Sequence, residues 1–329
     1  MDSLETQHGA ALLLVLSILL LISAMAFTSL YHWSDLYNLF KISEIRKSQK
    51  WILLESEGEM LNRIIGPLLN SKYIGDELGH SLTHPKTIKI NENDIYYNLV
   101  DRTNCLNIYS IKYKSCNNTV ESYARTVFKN MLINSGGGKE EINNIMEYIS
   151  GFINRDCCEN NKYNIYTGSI LRPKYTNSND DLAVFLPDYS NKLLLQLTPL
   201  ICTRNDNVLL VNINTLEIQH AKLVQAMLMN TLSEEDIVRV ILSKPATGWG
   251  NVESFFDSML NNSVVAINDR QKIRDISMSN FATDEYFISL SFGLDGKDEY
   301  YQLSNFLHIK KKQVTVLQRM YGIGEPYNE

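Results

Sequence analysis

Residues 7–27, QHGAALLLVLSILLLISAMAF, decide how the rest of the chain is read. From Gly9 to Ser34 there is no Asp, Glu, Lys or Arg, and no proline interrupts the run. Leu and Ile favour helix. A helix from Ala10 to Leu30 would rise roughly 30 Å, enough to cross a bilayer. Gly9 and Ala10 mark the junction with a short polar leader, Met1 to His8. Three devices share this pattern: a secretory signal that is removed, a plain anchor, and a short leader cut ahead of a helix that stays.

A removed signal needs a basic start and a small-residue cleavage site. Ala24-Met25-Ala26 supplies the second, but the leader carries Asp2 and Glu5 and no Lys or Arg. A plain anchor meets the positive-inside rule, because Lys41, Arg46, Lys47 and Lys50 all follow the segment. Read by that rule alone, the large domain would be cytoplasmic. Beyond the apolar run, helical spacing continues through Leu36, Leu39, Phe40, Ile45, Ile52, Leu53, Met60 and Ile64. Gly66 and Pro67 are the expected end. A helix that is apolar first and amphipathic afterwards can sit in a membrane, then pack on a domain or beside copies of itself. This favours the third device.

The remaining composition is that of a folded protein: 329 residues, 44% hydrophobic, 21% charged, net charge −6. Nucleic-acid binding is not indicated. The basic run from His308 to Lys312 reads as a turn or strand edge. Five cysteines, Cys105, Cys116, Cys157, Cys158 and Cys202, form no C-x-x-C pair, which argues against a zinc ribbon or a thioredoxin-like motif. An exported domain would permit one or two disulfides, with the connectivity open. Gly136-Gly137-Gly138-Lys139 lacks the Ser or Thr of a phosphate loop and reads as an interhelical linker. His80 and His84 lack the intervening Glu of a zinc protease. No G-x-S-x-G is present. The carboxylates Glu234, Glu235 and Asp236, after the turn Asn230 to Ser233, would repel phosphate.

Residues 87–111 read as two short strands. Helical faces follow over Val120 to Met131 and Ile142 to Ile153, separated by the break at Ser135 to Gly138. Residues 154–192 read as loop. Thr215 is the expected cap of a helix through Asn230, and Ser233 with Asp236 of another that Pro245 stops. From Asp284 to Gln318 alternation returns, with a hairpin turn expected at Asp295-Gly296 or Lys297-Asp298. Strands, helices and strands again imply an α+β body with a helical insertion.

Several stretches resemble the minor pseudopilin K family of type II secretion, GspK. The leader ending at Gly9, with Ala10 opening the helix, is similar to a type IV pilin-like leader. The fifth residue after the junction, Glu in most such subunits, is Leu14, a feature of the GspK branch. Asp101-Arg102-Thr103-Asn104-Cys105-Leu106-Asn107-Ile108 is similar to the family's "D…CFNLN". Val211-Asn212-Ile213-Asn214-Thr215-Leu216 is similar to "NVNTL". Lys244-Pro245 through Gly248-Trp249 and Phe255 resemble "RP..GW…F". Weaker likenesses are Leu171-Arg172-Pro173 with Asn179, Thr198 to Cys202, Tyr286-Phe287 and Val316 to Arg319. The chain departs from the family in its acidic leader and in Asp156-Cys157-Cys158-Glu159, where the family's acidic pattern is richer.

The resemblance implies an α+β, pilin-like fold: a long N-terminal helix and an antiparallel sheet with a large inserted helical domain. The implied divisions are a leader over 1–9, a transmembrane part over 10–33, pilin-like residues 34–117, an insertion over 118–275 and closing strands over 276–329. It implies a structural subunit, not an enzyme, at the tip of the pseudopilus, where it starts or caps the filament. Its partners would be minor pseudopilins I, J and H and the prepilin peptidase, which would cut at Gly9–Ala10 and methylate the new amine. The chain would cross the inner membrane once, with its body in the periplasm. Family members bind calcium, and Asp156, Glu159, Asp180, Asp181 and Asp284 are candidate ligands; no organic cofactor is implied. Cys105 with Cys202 is the pairing the family favours, and the roles of Cys157 and Cys158 stay open. The rival class is a signal-bearing or membrane-anchored periplasmic binding protein or enzyme.

Overall fold

The computed structural model describes residues 3–70, 86–111, 122–153, 193, 196–204, 206, 208–262, 267–294 and 300–324. They fall into two compact units, Met1–Glu55 and Ser56–Glu329.

The first unit lies within helix α1, Ser3–Met60. Its most apolar 18-residue window has a mean hydropathy of 2.5, and none of it is buried. Leu13, Leu20, Phe27 and Trp33 are all exposed. A helix with apolar side chains around its whole circumference belongs in lipid or against other helices.

In the second unit the backbone widens into a π-helical turn over Leu61–Ile65, and α2 follows over Gly66–Asn70. The expected stop at Gly66 and Pro67 is therefore corrected: helix continues past both. Proline lacks an N–H and its ring crowds the carbonyl one turn back. The π turn supplies the room, with the Gly66 N–H bonded to the Leu61 carbonyl.

Five antiparallel strands form the main sheet in the order β1-β2-β7-β8-β9. They are β1 Lys86–Ile90, β2 Asn93–Asp101, β7 Glu285–Leu294, β8 Tyr300–Lys310 and β9 Gln313–Gly324. Two hairpin turns use paired non-glycine residues at positive φ: Asn91 (47°) with Glu92 (67°), and Lys311 (50°) with Lys312 (63°). That is the I′ geometry, which matches the right-handed strand twist. The basic run thus ends in a turn, as expected. The other expected turn, at residues 295–298, lies outside the described residues.

Register places Leu99, Leu290, Asn305 and Arg319 on one sheet face. Glu57 covers that face, receiving bonds from Asn305 Nδ2 (3.0 Å) and Arg319 Nε (2.7 Å). The opposite face carries Ser289, Ser291, Phe287 and His308. Both faces of β7 are buried, so alternation there separates two packed sides instead of an inside from an outside.

β2 and β7 are neighbours, yet the chain between them is a long insertion whose described residues share a core. Its helices are α3 Tyr123–Asn134, α4 Lys139–Ile153, α5 Ala221–Met227, α6 Glu234–Leu242, α7 Val252–Asn262 and α8 Ile267–Asn280. Phe128, Met131, Ile145, Val224, Ile237 and Phe255 fill the core. Trp249, Phe255, Phe256 and Phe281 pack largely edge to face, the arrangement favoured by ring quadrupoles. Two short pairs complete the strands: β3 Leu106–Asn107 with β4 Ile201–Cys202, and β5 Val211–Asn212 with β6 Phe281–Ala282.

α6 begins at the expected cap, with Ser233 Oγ accepting from the Asp236 N–H at 3.1 Å. The single helix expected over Thr215–Asn230 is corrected to two short 3-10 turns, Ile213–Thr215 and Ile218–His220, followed by α5. Leu216 and Glu217 between them are extended. The reason is side-chain competition with the backbone. Thr215 Oγ1 is bonded to Asn104 and to the Asn212 carbonyl, which leaves it no role as a helix cap.

Candidate functional site

The sequence stretches that resembled a family converge where the insertion leaves the sheet. Asn104 leads into β3 and Asn212 closes β5. The Asn212 N–H donates to Asn104 Oδ1 (2.8 Å), and Asn104 Nδ2 donates to Thr215 Oγ1 (2.7 Å). Asn212 Nδ2 reaches the Glu285 carbonyl at the start of β7 (2.9 Å). Asn214 spans further: its Oδ1 accepts from the Trp249 N–H (2.7 Å), and its Nδ2 donates to the carbonyls of Trp249 (3.2 Å) and Thr283 (3.3 Å). Lys244 Nζ donates to the Asn214 carbonyl (3.1 Å). Gly248, at φ +69°, lets this happen, since a Cβ there would lie 3.0 Å from Asn214 Oδ1. Each asparagine offers donor and acceptor on one short stem, so each can bond the backbones of two separate segments.

The Cys105 and Cys202 thiols are joined in a disulfide, with Cα atoms 5.7 Å apart and both residues buried. It fastens β3 to β4. Beside it lies Arg204, only 1% exposed. Its guanidinium bonds the Arg102 carbonyl (3.2 Å), the Val208 carbonyl (2.5 Å) and Asp206 (3.2 Å), and stacks 4.0 Å from the Phe287 ring centroid. Burial lowers the Arg204 pKa, opposed by the Asp206 carboxylate; a buried charge persists only when paired in this way. Asn107 holds Asp206 from the other side, with Nδ2 2.6 Å from the Asp206 carbonyl. Sequence reasoning missed Arg204 and Asp206; the signal was a charged pair at i, i+2 in the extended run after Cys202.

A cavity of about 190 Å³ opens next to the disulfide, lined by Asp101, Thr215, Glu217 and His220 among others. Burial raises the Asp101 carboxyl, although the Thr103 N–H donates to it at 2.7 Å. Burial pushes the His220 imidazole down to about 4. Its Nδ1 accepts the Glu217 N–H (2.9 Å), a bond that protonation there would break. At the sheet, Glu285 accepts from Lys310 Nζ (2.9 Å) and His308 Nε2 (2.8 Å). Burial would raise its carboxyl, but these two partners outweigh it and hold the pKa below the ordinary value.

Of the other expected site residues, Gly9, Ala10 and Leu14 lie within α1, and Leu14 is exposed. Asp284 is exposed at the bend before β7. Asp156, Glu159, Asp180 and Asp181 lie outside the described residues, as do Cys116, Cys157, Cys158, His80 and His84. Among the described residues no group of three or more His, Cys, Asp or Glu side chains is arranged to hold a metal.

A long apolar stem helix, an antiparallel sheet and a helical insertion between two neighbouring strands define a pilin-like fold, with a stem long and apolar enough to cross a membrane. The family model for type II secretion system protein K matches residues 211–271, which contain the Asn212–Asn214 and Gly248–Trp249 contacts. Type II secretion system protein K of Klebsiella pneumoniae is 23% identical over 96% of this chain and 97% of its own length. The protein of the same name from Pectobacterium carotovorum subsp. carotovorum is also 23% identical, over the same shares. The fold matches a chain in the crystal structure of the GspK-GspI-GspJ complex from enterotoxigenic Escherichia coli, with a TM-score of 0.58 and 14% identity. That match covers 86% of this chain and 98% of the other. The chain is thus similar in sequence to type II secretion system protein K over 96% of its length, and in fold to a chain of the GspK-GspI-GspJ complex.

Proposed function

We propose that this subunit occupies the tip of the type II secretion pseudopilus, where it starts or caps the filament. The observation that carries the reading is a fully apolar stem with Leu14 at the fifth position after Gly9–Ala10. A carboxylate there would neutralise the N-terminal amine of a neighbouring stem in a medium where an unpaired charge is costly. Leu14 cannot do so, and a subunit without that group fits the first place in the filament. The inserted body of residues 102–284 adds bulk that would hinder addition above it.

In this reading the prepilin peptidase cuts between Gly9 and Ala10 and methylates Ala10. The stem crosses the inner membrane, and the body folds in the periplasm, a compartment where the Cys105–Cys202 disulfide persists. The subunit is a structural component. Its partners are minor pseudopilins I, J and H, and it acts in the export of folded proteins across the outer membrane. The fold's likeness to a GspK-GspI-GspJ complex supports the first two partners.

The mature N-terminus is the test. Mass spectrometry should find a chain beginning at Ala10; one beginning at Phe27 would mean ordinary signal cleavage and end the proposal. Leu14→Glu should release the subunit from the tip and distribute it along the shaft.

Calcium belongs to the same reading through Asp156, Glu159, Asp180, Asp181 and Asp284, since calcium takes six to eight oxygen ligands, often from loops. Bound calcium would raise the melting temperature of the full-length protein; identical melting with calcium and with chelator would exclude it.

A further inference from the structure

We propose that the free edge of β9 is a docking site for an extended, acidic segment of a partner subunit, which joins the sheet as a sixth strand. The inference rests on the assembly reading above and adds to it which surface is used and what chemistry it recognises.

Among the described residues the sheet ends at β9 on one side and at β1 on the other. β1 has 5 residues and β9 has 12. At the usual rise β9 spans about 40 Å, with about half of its backbone N–H and C=O groups directed away from β8. Natural edges are protected by shortness, proline, charge, a bulge or a covering element. β1 is short. β9 contains no proline, and Gln313, Thr315 and Leu317 are exposed along it. Of these devices the described strand uses a bulge, and the bulge exposes an apolar residue. The register passes from Phe306↔Gln318 to Leu307↔Val316, leaving Leu317 unpaired and 40% exposed. That places an apolar side chain, not a charge, at the middle of the edge.

The occupant's chemistry follows from charge. The chain as a whole carries −6, yet Tyr300 to Gly324 contains no Asp or Glu and holds His308, Lys310, Lys311, Lys312 and Arg319. Lys310 is engaged by Glu285 and Arg319 by Glu57. Lys311 and Lys312 stand exposed in the β8–β9 turn. They guard one end of the edge, not the residues that follow. A strand laid along β9 with carboxylates near this turn would be attracted. A second copy of β9 holds no carboxylate, so it offers Lys311 and Lys312 nothing to pair with.

The test uses the full-length protein in detergent micelles, alone and co-purified with minor pseudopilins I and J, read by backbone amide exchange. Exchange at residues 313–324 should slow at least about tenfold in the complex, while β1 is unchanged. Lys311→Glu with Lys312→Glu should weaken the complex about tenfold at low ionic strength, with the difference shrinking as salt is added. Glu92 already occupies the equivalent turn geometry in the β1–β2 hairpin. Unchanged β7 and β8 exchange in the variant would show that the fold is kept. A complex that forms without slowing exchange in β9 overturns this inference and leaves the assembly reading intact. Failure to form any complex with I and J overturns the assembly reading and this one with it. Concentration-dependent protection of β9 in the protein alone would identify a second copy as the occupant, against the acidic-partner proposal.

Discussion

Asn214 shows how much one side chain can organise. Its amide bonds two carbonyls and accepts one N–H from segments 35 and 69 residues away. Asn214→Ala would leave the Trp249 N–H and the Thr283 carbonyl without their side-chain partner. The expected loss is about 1–3 kcal/mol, read as a lower melting temperature. Gly248→Ala should cost a similar amount by another route: it places a Cβ at φ +69° and 3.0 Å from Asn214 Oδ1. Because both changes strain one contact, the double variant should lose less than the sum. The asparagines were legible as residues of a family pattern. Their bonding partners were not, because a short amide reaches whatever the fold brings near.

Among the elements, the 3-10 turn Ile218–His220 has the clearest consequence. His220 is half-buried, and desolvation lowers its pKa from 6.5 to about 4. The unfolded chain therefore binds a proton that the folded chain refuses. Stability from this group is complete above about pH 6.5, falls as pH drops toward 4, and is flat below. The full span is about 3 kcal/mol. A His220→Gln variant should show a shallower loss of stability between pH 6.5 and 4 in denaturant titrations. At lower pH, Glu285 adds a second loss as its depressed carboxyl protonates. Elements themselves were mostly legible. Helical faces over α3, α4 and α6 and alternation over β7 and β9 were plain in the side-chain periods. The exceptions were Pro67, absorbed by a π turn, and Thr215, diverted by Asn104. In both, a nonlocal or irregular contact outweighed a local propensity.

For the whole molecule, the disulfide closes a loop of 97 residues in sequence separation and so constrains much of the insertion. By loop-closure entropy its removal should cost about 4–5 kcal/mol. Replacing both Cys105 and Cys202 by Ala, or melting with reductant, should lower the transition of the body by several degrees. The apolar helix itself contains no cysteine and should keep its helical signal. At this scale too, an apolar stem long enough to cross a membrane, a sheet with one long edge and a helical insertion fit the proposed assembly subunit.

The sequence by itself determined the apolar stem, the periods of helices and strands, and the lack of a charge at Leu14. Those properties are local, carried by neighbours within a turn or a strand. Only the tertiary structure decided that Asn104, Arg204, Asn212 and Glu285 meet at one junction beside the Cys105–Cys202 disulfide, and that β9 is an edge. The junction depends on contacts between residues 73 to 108 positions apart. No local pattern encodes such contacts, because chain entropy opposes them until the two cores have formed.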